Sequence, residues 1–193
     1  MNRQQTFARV YQTNAWHGDE TRAGPGSTMT ATARLQVELP KLLERLGVTS
    51  LLDAGCNEAH WIPEVPGYVG VDIVPQALRI AQRRHPGLRF EVADICVDHL
   101  PRCDAVLCRD ALQHLSYADG LAALANFRST RARWLITSSH RGETNVDIAT
   151  GQWYPIDVQA PPFSLGEPSW EISDGTWGDS VAWPQKILGL WTL

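Results

Sequence analysis

Several features that would place a protein at once are missing from these 193 residues. No apolar segment approaches the roughly 18 residues that a membrane helix needs, and the opening MNRQQTFARVYQ lacks the apolar core of a signal peptide. The four cysteines (Cys56, Cys96, Cys103 and Cys108) form no CxxC pair and sit in or beside apolar runs. That placement predicts buried free thiols in a reducing compartment, not a disulfide or zinc framework. These absences together predict a cytoplasmic protein without membrane partners. Neither charge is in great excess: 17 Lys+Arg face 21 Asp+Glu, a net charge of −4. Such a balance gives no general pull toward nucleic acid or anionic lipid. The one basic stretch, RRHPGLR (83–89), reads as a solvated helix end. No internal repeat and no low-complexity tract interrupts the chain.

What is present fits one globular domain spanning residues 1–193, with 44% hydrophobic and 20% charged residues. The first 26 residues are polar and broken by glycine and proline, and read as an arm or lid. Ser27 or Thr28 can cap a helix running to about Leu46, where Leu35, Leu39, Leu42, Leu43 and Leu46 recur at helical spacing. Pro40 implies a kink or break in it. Apolar strands then alternate with helices or short connections. The strands are SLLDAG (50–55), YVGVDIV (68–74), LRFEVADI (88–95), DAVLCRD (104–110) and RWLITSS (133–139), and the helices cover 75–85 and 119–128. This order predicts a mostly parallel, doubly wound α/β sheet covered on both faces. Two late strands, around 170–173 and over 186–193, predict an antiparallel C-terminal edge hairpin. Between the fifth strand and these, residues 140–185 are rich in proline and aromatics. Five of the eight tryptophans lie after residue 150, building either a satellite core or the wall of a substrate pocket.

The loop leaving the first strand matters most, because open α/β sheets bind ligands at the carboxyl ends of their strands. In LLDAGCNEAHW (51–61), Gly55 allows the sharp turn. Asn57 is the best substitute for glycine at a left-handed position. A dinucleotide loop wants GxGxxG to seat a pyrophosphate. Here the series runs Gly55, Asn57, His60, and Glu58 adds negative charge. A cationic ligand without phosphates fits better, and S-adenosylmethionine is one. Asp53, Asp72 and Asp94 close three successive strands; Asp72 can accept both ribose hydroxyls and Asp94 the adenine amino group.

From Trp16 onward the chain resembles the class I, Rossmann-like S-adenosylmethionine-dependent methyltransferases. The resemblance is to a small bacterial subgroup and rests on GPGS (24–27), CRDALQHL (108–115) and LGLW (188–191) in combination. It implies that Asp53 and Gly55 shape the floor under the methionine part, with Asn57 and Glu58 bordering it. Asp72 and Ile73 would hold the ribose, and Asp94 and Ile95 would flank the adenine. Arg109 and Asp110 would face the sulfonium and the incoming substrate. The segment around Ser27 would offer backbone N–H groups to the methionine carboxylate.

Methyl transfer also calls for a base when the nucleophile carries a proton. Asp110 and His114, four apart, would share one helix face, unless Asp110 only caps that helix and His114 only packs. His140, at the end of the fifth strand, is either a third candidate or a surface loop residue. No further carboxylates complete a metal set, so none is expected. Trp16, Trp153, Tyr154 and Phe163 are either substrate-binding or plain core. An aromatic pocket favours a small-molecule acceptor, methylated on oxygen or nitrogen, by a monomer or homodimer. Competing readings are a nucleic-acid or protein methyltransferase, an NAD-binding oxidoreductase, and an inactive methyltransferase fold acting as a binding module.

Overall fold

The computed structural model describes residues 1–63, 65–177, 180–181 and 183–193, with backbone only at 176–177 and 180–181. Helix α1 (Arg3–Thr13) opens the chain, capped by Asn2, and α2 (Met29–Arg45) follows a single 3-10 turn at Pro25–Ser27. The α2 cap is Thr28, whose hydroxyl accepts from the Ala31 N–H; Ser27 lies one residue too early. The helix runs unbroken through Pro40. Proline removes one backbone donor there, but the buried stripe of Leu35, Leu39, Leu42 and Leu43 outweighs that loss.

Five parallel strands follow: β1 (Leu51–Ala54), β2 (Tyr68–Asp72), β3 (Arg89–Val92), β4 (Ala105–Cys108) and β5 (Trp134–His140). Helix α3 (Pro75–Arg84) joins β2 to β3, and α4 (Tyr117–Ser129) joins β4 to β5. After β6 (Trp170–Ser173), the short β7 (Thr176–Trp177) and β8 (Ser180–Val181) form a separate ribbon. The chain closes in β9 (Lys186–Thr192), which lies antiparallel between β5 and β6. The seven-stranded order is β3-β2-β1-β4-β5-β9-β6, so the direction of winding reverses between β1 and β4. The expected edge hairpin is therefore present, with β9 inserted into the sheet.

Alternate residues of the central strands bury on opposite faces, as a sheet covered on both sides requires. Leu51, Ala105, Leu107 and Ile136 meet the leucines of α2. Leu52, Val106, Cys108 and Leu135 meet Leu124 and Phe127 of α4, together with Ile156, Val158 and Phe163 from the aromatic-rich segment. That segment is thus largely a second cover for the sheet.

Candidate functional site

A cleft of about 1070 Å³, counted out to open solvent, lies over the carboxyl ends of β1, β2 and β4. It sits where the winding reverses, the position open α/β sheets give to ligands. Its floor is the β1 loop. Gly55 turns there with φ +88, and a Cβ on it would stand 2.9 Å from the Ala111 Cβ. Asn57 holds φ 48, the left-handed conformation expected of it. Ala59, which like Asn57 stands where a further glycine might be expected, joins it at φ 46. Gly55→Ala should therefore cost about 1–3 kcal/mol through strain and crowding, whereas Asn57→Gly should change little; thermal unfolding of both variants checks this.

Among the described residues no helix follows β1 before β2. A pyrophosphate would have needed that helix N-terminus, so the structure carries no dinucleotide loop of that kind. The Glu58 side chain lines the cleft, 4% exposed, and its carboxylate is engaged by the protein itself. It accepts from Tyr11 Oη (2.8 Å) and the Arg22 N–H (3.4 Å), and pairs with Arg84 (3.3 Å). Its charge fastens α1 to the loop.

The three strand-end acids all line the cleft. Asp53 accepts from Tyr68 Oη at 2.6 Å. Asp72 accepts the Asn57 N–H (2.9 Å) on Oδ2 and the Val74 N–H (2.8 Å) on Oδ1, which fixes the loop against β2. Burial pushes both carboxyls up, Asp53 to about 7 and Asp72 to about 6. Asp94 stands two residues beyond β3 and is held by Arg3 Nε (2.6 Å) and the Cys96 N–H (3.0 Å). Ile73 and Ile95 line the cleft beside them.

The fourth wall carries the expected Arg109 and Asp110, but in a network the sequence did not reveal. Arg109 makes a bidentate pair with Asp174 (2.9 and 2.8 Å), donates to the Gly26 carbonyl (2.9 Å) and stacks 5.3 Å over Trp61. Lys186 Nζ reaches Asp110 Oδ2 (2.7 Å) and Asp174 Oδ2 (3.0 Å). Arg109 thus lines the cleft with Nε and Nη2 bound to these partners. Asp110 and His114 do not share an α-helical face. Asp110 turns at φ 55, its N–H bonded to Ser138 Oγ, and only a 3-10 turn (Leu112–His114) follows. Nor does Asp110 cap that turn, whose cap position is Ala111, without a side-chain bond. His114 nevertheless lines the same cleft. Its Nδ1 lies 3.0 Å from the Gln152 carbonyl, and its ring packs 4.3 Å from Trp16. Burial lowers its pKa to about 4, so the ring is neutral at physiological pH with Nδ1 as the donor.

The remaining candidates lie elsewhere. His140 is buried outside the cleft lining, between Trp153 and Trp183, with centroids 6.1 and 5.6 Å away. Burial lowers its pKa too. Phe163 packs on Tyr117 in the core. Trp153 and Tyr154 are likewise absent from the lining. Backbone, not side chains, gives their segment its role: Tyr154 N–H binds the Gln113 carbonyl, Gly151 N–H that of His114, and Gln152 the His114 ring. At Gly151, φ +100, a Cβ would collide with Thr6 of α1. The arm over the cleft is α1 itself, contributing Arg3, Phe7 and Tyr11, with Trp16 and Ser27 beyond it. Sequence reasoning missed Arg3, Phe7, Tyr11, Trp61, Asp174 and Lys186. Only Phe7 and Tyr11, four apart in a polar helix, left a signal of an apolar face. Among the described residues no group of three or more metal-ligating side chains occurs, and no helix is long and apolar enough to cross a membrane.

The glycine cradle and the acid at the end of β2 could hold an adenosine-bearing, phosphate-free ligand. Residues 52–130 match the sequence profile of a methyltransferase domain. No curated protein matches the chain. Among solved structures, magnesium protoporphyrin IX methyltransferase of Synechocystis PCC 6803, with bound S-adenosylmethionine, superposes at TM-score 0.70 and 16% identity, over 99% of this chain and 97% of that one. Phosphoethanolamine N-methyltransferase 1 of Haemonchus contortus gives 0.66 and 13%, over 99% of this chain and 49% of its own. The methyltransferase domain of bacterial CtHen1-CN gives 0.61 and 16%, over 85% and 100%. Residues 52–130 thus resemble a methyltransferase domain, and the chain has the Rossmann-like fold of methyltransferases crystallised with S-adenosylmethionine or S-adenosylhomocysteine.

Proposed function

We propose that this protein methylates a small-molecule acceptor on oxygen or nitrogen. The observation that carries the proposal is the aromatic lining of the cleft. Helix α1 contributes Phe7 and Tyr11 to it, and Trp16 packs on His114, a wall that suits a compact, partly apolar acceptor. The acidic net charge of −4 points the same way. S-adenosylmethionine supplies an electrophilic methyl group on a sulfonium. Asp72 would take the ribose hydroxyls, Ile73 and Ile95 would flank the adenosine, and Gly55 would let the methionine part approach the backbone. The Arg3 bond to Asp94 then closes α1 over the adenine end. His114 is the residue placed to receive a proton: the Gln152 carbonyl fixes the Nδ1–H tautomer, leaving Nε2 with its lone pair. Asp110 contributes a fixed negative charge beside it. His140, away from the cleft lining, is assigned no part in this chemistry.

Isothermal titration of the purified protein with S-adenosylmethionine and S-adenosylhomocysteine tests the reading. Micromolar affinity, weakened about 100-fold by Asp72→Ala, is expected from losing a charged acceptor of two hydroxyls, about 2.7 kcal/mol. A folded protein that binds neither compound would instead be an inactive binding module.

A further inference from the structure

Two side chains beside Arg109 keep acceptor atoms that no described hydrogen bond uses. Asp110 Oδ2 is taken by Lys186, while its Oδ1 is buried without a hydrogen-bond partner among the described residues. His114 uses Nδ1 on Gln152, and no described hydrogen bond engages Nε2. The neighbouring cations already face carboxylates. Arg109 is bound by Asp174, Gly26 and Asp110, and Lys186 by Asp110 and Asp174. An acceptor entering this wall therefore meets an anionic oxygen and an imidazole lone pair. Buried acceptors of this kind must be matched by donors on the ligand. A carboxylate or phenolate offers none and is repelled by Asp110. A hydroxyl offers one hydrogen. An amine carrying two or more satisfies both groups.

Resting on the methyltransferase reading above, we infer that the reacting group of the substrate is an amine nitrogen bearing at least two hydrogens, held between Asp110 Oδ1 and His114 Nε2. Trp16 and Phe7, with ring centroids 6.4 Å apart, give that amine an apolar or aromatic body to rest against. The protonation states agree. Burial alone would raise the Asp110 carboxyl, but Lys186 and Arg109 hold it below the usual carboxylate range. His114 stays neutral because burial opposes its charging, although Asp110 works against that effect. Asp110 and His114 line the same cleft.

The test uses the full chain saturated with S-adenosylhomocysteine, titrated at pH 7.5 with benzylamine, benzyl alcohol and benzoate, three probes of one shape. Benzylamine is expected to bind at least about tenfold tighter than the alcohol, with benzoate weakest, as a hydrogen bond to a charged acceptor implies. Asp110→Asn should remove most of that preference. Benzylamine binding no tighter than the other two overturns the inference in the unaltered protein alone, as does a preference that survives Asp110→Asn. The preceding saturation step separates this failure from a broader one. If S-adenosylhomocysteine binds and the amine preference is absent, only the amine assignment falls; if it does not bind, the methyltransferase reading falls with it.

Discussion

Asp174→Ala should lower the stability of the protein by about 3–5 kcal/mol, the usual result of removing one partner from a buried ion pair. Asp174 has no side-chain exposure, and Arg109, its bidentate partner, has 4%. Removing the carboxylate strands the guanidinium beside Trp61 with only Gly26 and Asp110 to bind. It also takes one of the two partners of Lys186, whose side chain is 2% exposed. In a chain of 193 residues each kcal/mol moves the melting temperature by about 2–4 °C. Thermal unfolding followed by circular dichroism should therefore show a fall of roughly 6–20 °C. A shift of only a degree or two would mean that water solvates this network. The large cost follows from where the charges lie: Arg109 follows β4, Asp174 follows β6 and Lys186 begins β9. The network clamps the reversed end of the sheet to the wall of the cleft.

Asp53→Asn should have the opposite sign, and one that depends on pH. Burial raises the folded-state pKa of Asp53 to about 7; the Tyr68 hydrogen bond opposes the rise and the charge of Asp72 adds to it. In the unfolded chain the same carboxyl ionises near 3.9. As pH climbs from about 4 to about 7 the unfolded state releases its proton first, so folding stability is lost across that window. Asparagine removes the titration and keeps an oxygen for Tyr68. The variant should gain on the native protein by roughly 3 kcal/mol between pH 5 and pH 8. His114, depressed to about 4, works in the other direction. Its stability contribution is lost as pH falls below about 6.5, but it is common to both proteins and cancels in the comparison. Urea unfolding at the two pH values measures the gap; a gap that does not widen would mean that Asp53 ionises normally in the fold. A buried acid kept at such a cost is what a binding site requires and a core does not.

Much of the sheet was legible because strands buried on both faces read as short apolar runs, and β1 to β5 did so. Ends were less so. The run ending in Asp94 yields a strand that stops at Val92, because Asp94 turns to bind the Cys96 N–H. The helix expected from Asp110 onward shrinks to one 3-10 turn, because Asp110 takes a left-handed conformation that no spacing rule signals. Site residues followed the same division. Gly55, Asn57, Asp53, Asp72 and Asp94 stand near strand ends and converge as soon as the strands pair in parallel. His140 ends a strand too, but the antiparallel pairing of its segment with β9 and its tryptophan neighbours keep it from the cleft lining.

The sequence by itself determined the winding of the chain, the first-strand loop and the acids at its side, since these depend on local patterning and on backbone conformations that few residues adopt. The tertiary structure alone decided that α1 lines the cleft, that Glu58 ties the arm to the loop, and that Asp110 is held by Lys186, 76 residues away. The reason is physical. A buried charge must find an opposite charge wherever packing brings one, and that partner is chosen by the sheet order rather than by any spacing along the chain.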